Sequence, residues 1–222
     1  MASRVALFDL DHTLLSGDSD DLWFEFLADA GIVDRAAEAA RKADVVGRYR
    51  AGTVGVHEFC EYFLSLYVPH DLGTLVDWRE RFLRERILPR IPTAARELLA
   101  GHAADLVVIA TATNRFLTEP IAAELGVRHL VATDPELKDG RFTGRVVGTP
   151  NFRDGKAVRV REWLARRGEP LEAFDESWFY SDSINDRPLL EQVTHPVAVD
   201  PDPALRALAG ERGWPVIELA RG

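Results

Sequence analysis

Asp9-Leu10-Asp11-His12-Thr13 places two aspartates two residues apart at the end of an apolar run. Carboxylates held that close resist joint ionisation, and a divalent cation removes the conflict. Mg²⁺ suits such a site, because it takes a few carboxylates and completes its octahedron with waters and phosphate oxygens. Asp182 supplies a further carboxylate from a distant segment, and Asp186, four residues on, can orient ligands or metal-bound water from behind. Lys156 opens a helical run, where its ammonium can neutralise a carboxylate nucleophile and the oxygens of a transferring phosphoryl group. The Thr111 hydroxyl and Ala112 amide precede another helical pattern, a position that favours phosphate. Taken singly, these residues read as a strand-ending turn, a helix cap and a surface lysine. Taken in order, each after the expected element, they assemble a phosphoryl-transfer site.

The elements that must hold these residues alternate. Residues 5–8 and 106–110 are short apolar runs that end in polar loops, and residues 178–180 repeat the arrangement before Ser181-Asp182-Ser183-Ile184-Asn185-Asp186. Helical patterns at 116–125, 157–167 and 188–192 alternate with them. The pattern predicts an α/β fold, a Rossmann-like parallel sheet covered on both faces. Ligands in such sheets sit beyond the carboxyl ends of the strands, where strand order reverses. Residues 17–86 break the alternation with four helical stretches and no strand, so they are expected to form a helical-bundle cap inserted after the first strand. The expected division is a core of residues 1–15 and 88–222 and a cap of residues 16–87, with Leu88-Pro89-Arg90-Ile91-Pro92 as a stiff return. Asp139-Gly140 predicts a hairpin within 131–147.

The chain of 222 residues has a formal net charge of −9 and no large basic cluster, so it lacks the footprint of a nucleic-acid binder. No apolar stretch approaches the roughly 20 residues that span a bilayer, and the N-terminus lacks a signal-peptide pattern. The single cysteine, Cys60, cannot close an intramolecular disulfide, and a cytoplasmic location is the expectation. Cys60 lies among Phe59, Tyr62 and Phe63 and reads as a buried cap residue; the scattered histidines show no zinc-ligand spacing.

Across nearly its whole length the chain resembles the haloacid dehalogenase superfamily, in the branch that looks like phosphoserine phosphatase. Asp9-Leu10-Asp11-His12-Thr13 matches the first motif of that family, Thr111 the second, Lys156 the third, and Asp182-Ser183-Ile184-Asn185-Asp186 the fourth. The resemblance implies that Asp9 is the nucleophile and that Asp11 protonates the leaving alcohol and then activates water. It implies Mg²⁺ held by the Asp9 side chain, the Asp11 backbone carbonyl and the Asp182 side chain, with Asp186 in support. Thr111 and Lys156 would hold phosphate oxygens, and Asn185 would contact the phosphate or order its loop.

The expected partner is a small phosphorylated metabolite. Phosphoserine phosphatases resembling this chain use a cap acid for the substrate ammonium and a cap arginine for its carboxylate. Asp18, seven residues after Asp11, falls where the acid is expected, whereas the arginine position falls near Cys60 or Glu61. With Asp20, Asp21 and Glu61 nearby, the cap favours a cation and disfavours a carboxylate, so histidinol phosphate is preferred over phosphoserine. Trp23, Phe59 and Tyr62 are candidates to pack on an imidazole. Transfer of the phosphoryl group to an acceptor alcohol, dehalogenation and noncatalytic binding are the competing functions.

Overall fold

A computed structural model describes residues 3–219; residues 1, 2 and 220–222 of the expected core range lie outside the described residues. The central strand is β1 (Arg4–Phe8). Its side chains alternate between two apolar clusters, Ala6 and Phe8 in one and Val5 and Leu7 in the other, because successive residues of a strand point to opposite faces. All four are fully buried, which explains why the strand reads as a continuous apolar run.

Six more strands complete one sheet: β2 (Leu106–Asn114), β3 (His129–Lys138), β4 (Arg141–Val147), β5 (Glu176–Ser181), β6 (His195–Val199) and β7 (Val216–Ile217). Their order is β4-β3-β2-β1-β5-β6-β7, with every pairing parallel except β3 with β4. β1 pairs with β2 on one side and β5 on the other, so strand order reverses there and the carboxyl ends of β1, β2 and β5 frame one crevice. The β3–β4 hairpin turns at Asp139 and Gly140, whose φ values of 50° and 74° suit a tight turn with both central residues left-handed.

Helices α5 (Thr93–Ala100) and α6 (Arg115–Glu124) cover the face that carries Ala6 and Phe8. The opposite face is covered by α7 (Asp154–Arg166), α8 (Arg187–Leu190) and α9 (Pro203–Arg212). Between β1 and β2 the chain forms α1 (Ser19–Asp29), α2 (Arg35–Arg50), α3 (Val56–Ser65) and α4 (Leu72–Phe82). Asp18, Asp34 and Asp71 cap three of these helices by accepting from the backbone amides of Asp21, Ala37 and Thr74. Inside the insert Trp23 stacks on Phe26, and Phe82 meets both rings edge-on. The return passes through a π-helical turn, Leu83–Ile87, and a 3₁₀ turn, Leu88–Arg90, so Pro89 begins a short helix rather than an extended connection. Ser16 donates its amide hydrogen to the Arg90 carbonyl at 2.8 Å, which binds the outgoing and returning segments together.

Two local differences from expectation matter for the site. β2 runs on to Asn114 rather than ending near 110, and its register against β3 shifts between Ala110 and Asn114. The N-cap of α6 is therefore Asn114, whose side chain accepts from the Leu117 amide at 3.2 Å, rather than the Thr111-Ala112 pair. Threonines favour extension, and asparagine is the stronger cap.

Lys156 is placed by a backbone contact just before it. A Cβ on Gly155 would lie 2.2 Å from the Pro150 carbonyl oxygen, closer than side-chain carbons approach. Gly155→Ala is expected to lower stability by about 1–3 kcal/mol through overpacking of this turn. Urea denaturation measures it, and an unchanged midpoint at unchanged slope would show that the turn relaxes freely.

Candidate active site

The crevice is a cavity of about 220 Å³. Asp9 follows β1 directly, and its amide donates to the Tyr180 carbonyl on β5 at 2.9 Å, so the sheet itself fixes the backbone of this aspartate. Behind it Phe8 stacks on Tyr180 with ring centroids 4.7 Å apart. From α7 the Lys156 ammonium donates to Asp9 Oδ1 at 2.9 Å and to Asp186 Oδ2 at 2.7 Å. Lys156 is 2% exposed and Asp186 3%. Burial alone would lower the lysine pKa, but the charges of Asp186 and Asp9 outweigh it and hold the ammonium protonated. Asp186 also accepts from Ser181 Oγ at 2.7 Å; burial raises its pKa to about 6 against the pull of Lys156.

Asp11 faces the same cavity from the other side of its loop. It accepts from the Ser19 amide at 2.7 Å and from the Thr113 hydroxyl at 2.9 Å. Burial, then the charges of Asp18 and Asp9, push its carboxyl up to about 8, so the group can carry a proton near neutrality. Asp182 is bound to the first loop through Thr13, whose hydroxyl donates to its carboxylate at 3.2 Å and accepts from its amide at 3.1 Å. Burial and then Asp9 and Asp186 raise Asp182 to about 8. Asp202 braces this loop from α9: its amide donates to the Asp182 carbonyl at 2.8 Å and its carboxylate accepts from the Ile184 amide at 2.8 Å.

Asp9, Asp11, Asp18, Ala112, Lys156, Asp182, Asn185 and Asp186 all line the cavity. Thr111 is fully buried; its hydroxyl accepts from the Thr113 amide at 3.2 Å and its carbonyl from Asn151 Nδ2 at 2.8 Å. Its neighbours Ala112, Thr113 and Asn114 face the cavity.

Several residues outside the four motifs also line the cavity, among them Asp20 and Phe59, expected from the sequence as a cap acid and an imidazole-packing ring. Asp20 sits beside Asp18 and meets the Thr113 hydroxyl at 3.3 Å; burial and the charges of Asp18, Asp11 and Asp21 raise its pKa well above the ordinary range. Phe59, Cys60 and Phe63 of α3 form a wall on the insert side, and Phe152 lies on the core side. Cys60 is therefore half-buried at the cavity rather than packed in the insert, and burial pushes its thiol up to about 12, where it is a poor nucleophile. Trp23 and Tyr62 turn away: Trp23 packs against Phe26 and Phe82, and the Tyr62 hydroxyl donates to the Glu38 carbonyl. Of the three rings expected to pack on an imidazole only Phe59 lines the cavity, and Phe63 joins it from the same helix face.

Among the described residues no three acidic, histidine or cysteine side chains form a metal cage. The donors present are of another kind. Asp9 and Asp182 both line the cavity, and the charges of Asp9 and Asp186 raise the Asp182 carboxyl, a crowding that fits a cation taking two carboxylates, a backbone carbonyl and water or substrate oxygens.

Residues 6–191 match the haloacid dehalogenase-like hydrolases. The chain belongs to this family. Among its family relatives, the histidinol-phosphatase of Neisseria meningitidis serogroup C (strain 8013) is 38% identical over 97% of this chain and 99% of the relative. Phosphoserine phosphatase SerB1 of Mycobacterium tuberculosis is 34% identical over 96% of this chain and 70% of the relative. A crystal structure of a protein of unknown function from Bordetella pertussis Tohama I superposes with a TM-score of 0.92 at 50% identity, covering 98% of this chain and 99% of that one. No helix among the described residues is long and apolar enough to cross a membrane.

Lys156→Met should leave Asp9 and Asp186 buried without their shared cation. The expected cost at neutral pH is about 3–5 kcal/mol, the range for breaking a buried ion pair by removing one partner. Chemical denaturation in chelator reads it; a loss below 1 kcal/mol would mean that the carboxylates reprotonate or hydrate without penalty.

Proposed function

We propose that this haloacid dehalogenase-family phosphatase is a Mg²⁺-dependent phosphomonoesterase that hydrolyses histidinol phosphate through an aspartyl-phosphate on Asp9. The observation that carries the substrate is the acidic character of the cavity wall, where burial and crowding push up the carboxyls of Asp18 and Asp20 and a cation would relieve them. Asp18 and Asp20 line it, Cys60 lies where a carboxylate-binding arginine is expected, and Lys156 and His12 are the only basic side chains among the described lining residues. A substrate carboxylate would enter between acids, at a cost in desolvation and repulsion, whereas an ammonium or imidazolium would be stabilised there. Phe59, Phe63 and Phe152 offer ring faces and edges to an imidazole. The full-length similarity to the Neisseria histidinol-phosphatase supports the same substrate. The SerB1 relative supports phosphoserine instead, and the acids of the wall weigh against it.

In the proposed reaction Asp9 Oδ attacks phosphorus in line, forming an acyl-phosphate as the bond to the alcohol oxygen breaks. Asp11, carrying its proton, gives it to the departing alkoxide, and the resulting carboxylate then takes a proton from the water that hydrolyses the acyl-phosphate. Each turnover returns Asp11 protonated and Asp9 free. Bound Mg²⁺ would supply charge neutralisation for the dianion and the developing oxyanion. Lys156 draws charge from Asp9 and the phosphoryl oxygens without needing to move, because two carboxylates already hold it. The Ala112 and Asn185 amides line the cavity and would complete the phosphate cradle, whereas Thr111, which the resemblance places on the phosphate, is fully buried behind it.

Phosphate release from histidinol phosphate should require Mg²⁺ and stop with chelator, and Asp9→Asn should reduce kcat by on the order of 10³-fold or more. Undiminished release in either condition, with contaminating enzyme and deamidation excluded, counts against the nucleophile and metal assignments. The kcat/KM for histidinol phosphate should exceed that for phosphoserine by at least about tenfold, equivalent to about 1.4 kcal/mol. Asp18→Asn should lower it for amine-bearing substrates. A preference for phosphoserine, or no effect of Asp18→Asn, would overturn the substrate assignment.

A further inference from the structure

Arg153 has an unusual backbone for its residue type. Its φ of 51° and ψ of −126° place it at the first central position of a turn closed by the Gly155 amide donating to the Phe152 carbonyl at 3.0 Å. That conformation belongs to glycine, and a side chain held there is strained. The turn also begins α7, the helix that carries Lys156.

The side chain makes two kinds of contact. Its Nε donates to Asn185 Oδ1 at 3.0 Å, and its guanidinium lies 5.0 Å from the ring centre of Tyr49 and 5.4 Å from that of Phe152. Tyr49 belongs to α2 and stacks at 4.7 Å on Phe59, which lines the cavity from α3. An arginine can only donate, so it must engage the carbonyl oxygen of the Asn185 amide. The Nδ2 hydrogens are then left for an acceptor elsewhere, and Asn185 lines the cavity with Asp9 and Lys156. The reversed amide would present its oxygen to phosphate and repel it.

We propose that Arg153 is a positioning residue that fixes the Asn185 amide to donate to the substrate phosphate, and that the Tyr49 ring of the insert, with Phe152 of the core, holds Arg153 in that pose. The inference rests on the reading of this cavity as a phosphate site. Arg153 does not touch the reacting atoms; it acts through Asn185.

The test is a double-mutant cycle read by isothermal titration calorimetry of inorganic phosphate in the presence of Mg²⁺, with kcat/KM for histidinol phosphate measured in parallel. Arg153→Ala should weaken phosphate binding by about five- to tenfold, and the double variant with Asn185→Ala should bind within about twofold of Asn185→Ala alone. Tyr49→Leu should weaken binding about two- to fivefold, since the cation then loses the ring that holds it. Arg153→Gly separates position from fold, because glycine relaxes the backbone: its Tm should equal or exceed that of the wild type while phosphate affinity falls as in Arg153→Ala. Independent, multiplicative losses in the cycle overturn the proposal, as does unchanged affinity in Arg153→Ala or Tyr49→Leu. A Tm that falls together with affinity in Arg153→Gly assigns the residue to structure and overturns it as well. If wild-type protein binds phosphate but does not hydrolyse histidinol phosphate, the substrate reading fails while the phosphate cycle still decides the role of Arg153.

Discussion

Lys156 Nζ lies within hydrogen-bonding distance of both Asp9 and Asp186, and almost everything at this edge of the sheet follows from that shared cation. Asp9, Asp11, Asp182 and Asp186 converge on one cavity, with Asp18 and Asp20 on its wall, against a single buried ammonium. Without compensation such a group would spread apart or protonate, and the raised values of Asp11 and Asp182 record that pressure. The remaining excess makes the corner receptive to a divalent cation, and the cation in turn makes it receptive to a phosphate dianion. Buried charge of this kind costs stability, and it is retained where chemistry needs it.

The sheet makes the convergence possible. Because β2 and β5 flank β1, the loops after all three strands meet, although 102 positions separate Asp9 from Thr111 and 71 separate Thr111 from Asp182. Short cross-links then lock the loops to one another. Thr13 joins the first loop to Asp182, Thr113 joins the end of β2 to Asp11, and Asp202 joins α9 to the Asp182 loop. Thr113 reaches Asp20 as well as Asp11, and Asp202 caps α9 through the Leu205 amide while it holds the Asp182 loop, so these short polar links tie the acids to rigid elements.

Much of this was legible in the sequence because strand runs ending in Asp9, Thr111 and Asp182 carry both the period of a buried strand and an abrupt change to polar residues. The hairpin at Asp139-Gly140 was legible for a similar reason, since few dipeptides accept two left-handed residues in succession. The end of β2 was less so. Thr111 to Asn114 suits either a polar loop or a strand with a late cap, and the pairing with β3 that decides it lies outside the local sequence. The cavity wall was partly hidden: spacing does not separate Phe59 from the other aromatic candidates Trp23 and Tyr62, Phe63 has the same spacing whether its face meets a core or a ligand, and Cys60 reads as a small core residue in either case. Asp20 reads as one more acid in the first turn of α1, and only its contact with Thr113 distinguishes it from a solvated neighbour.

The insert is joined to the core by two unequal seams. On one side Tyr67 packs at 5.4 Å against both Phe116 of α6 and Phe142 of β4, and Asn114 Nδ2 donates to its hydroxyl at 3.0 Å. The apolar cluster runs through this seam without a break, from Trp23 and Phe82 of the insert to Leu117 and Ile121 of α6. On the other side the contact is a ring stack, Tyr49 and Phe59 against Phe152, with the guanidinium of Arg153 over it. Apolar burial makes the first seam part of the hydrophobic core, whereas the second consists of ring and cation contacts beside a polar cavity, which contribute less for each contact. The strong seam therefore sets where the insert sits, and the weak seam borders the cavity at Phe59 and Phe152. The acidic wall stands next to the strong seam, because Asp20 accepts from Thr113 and Asn114 at the end of β2, and Asn114 also donates to Tyr67 of that seam.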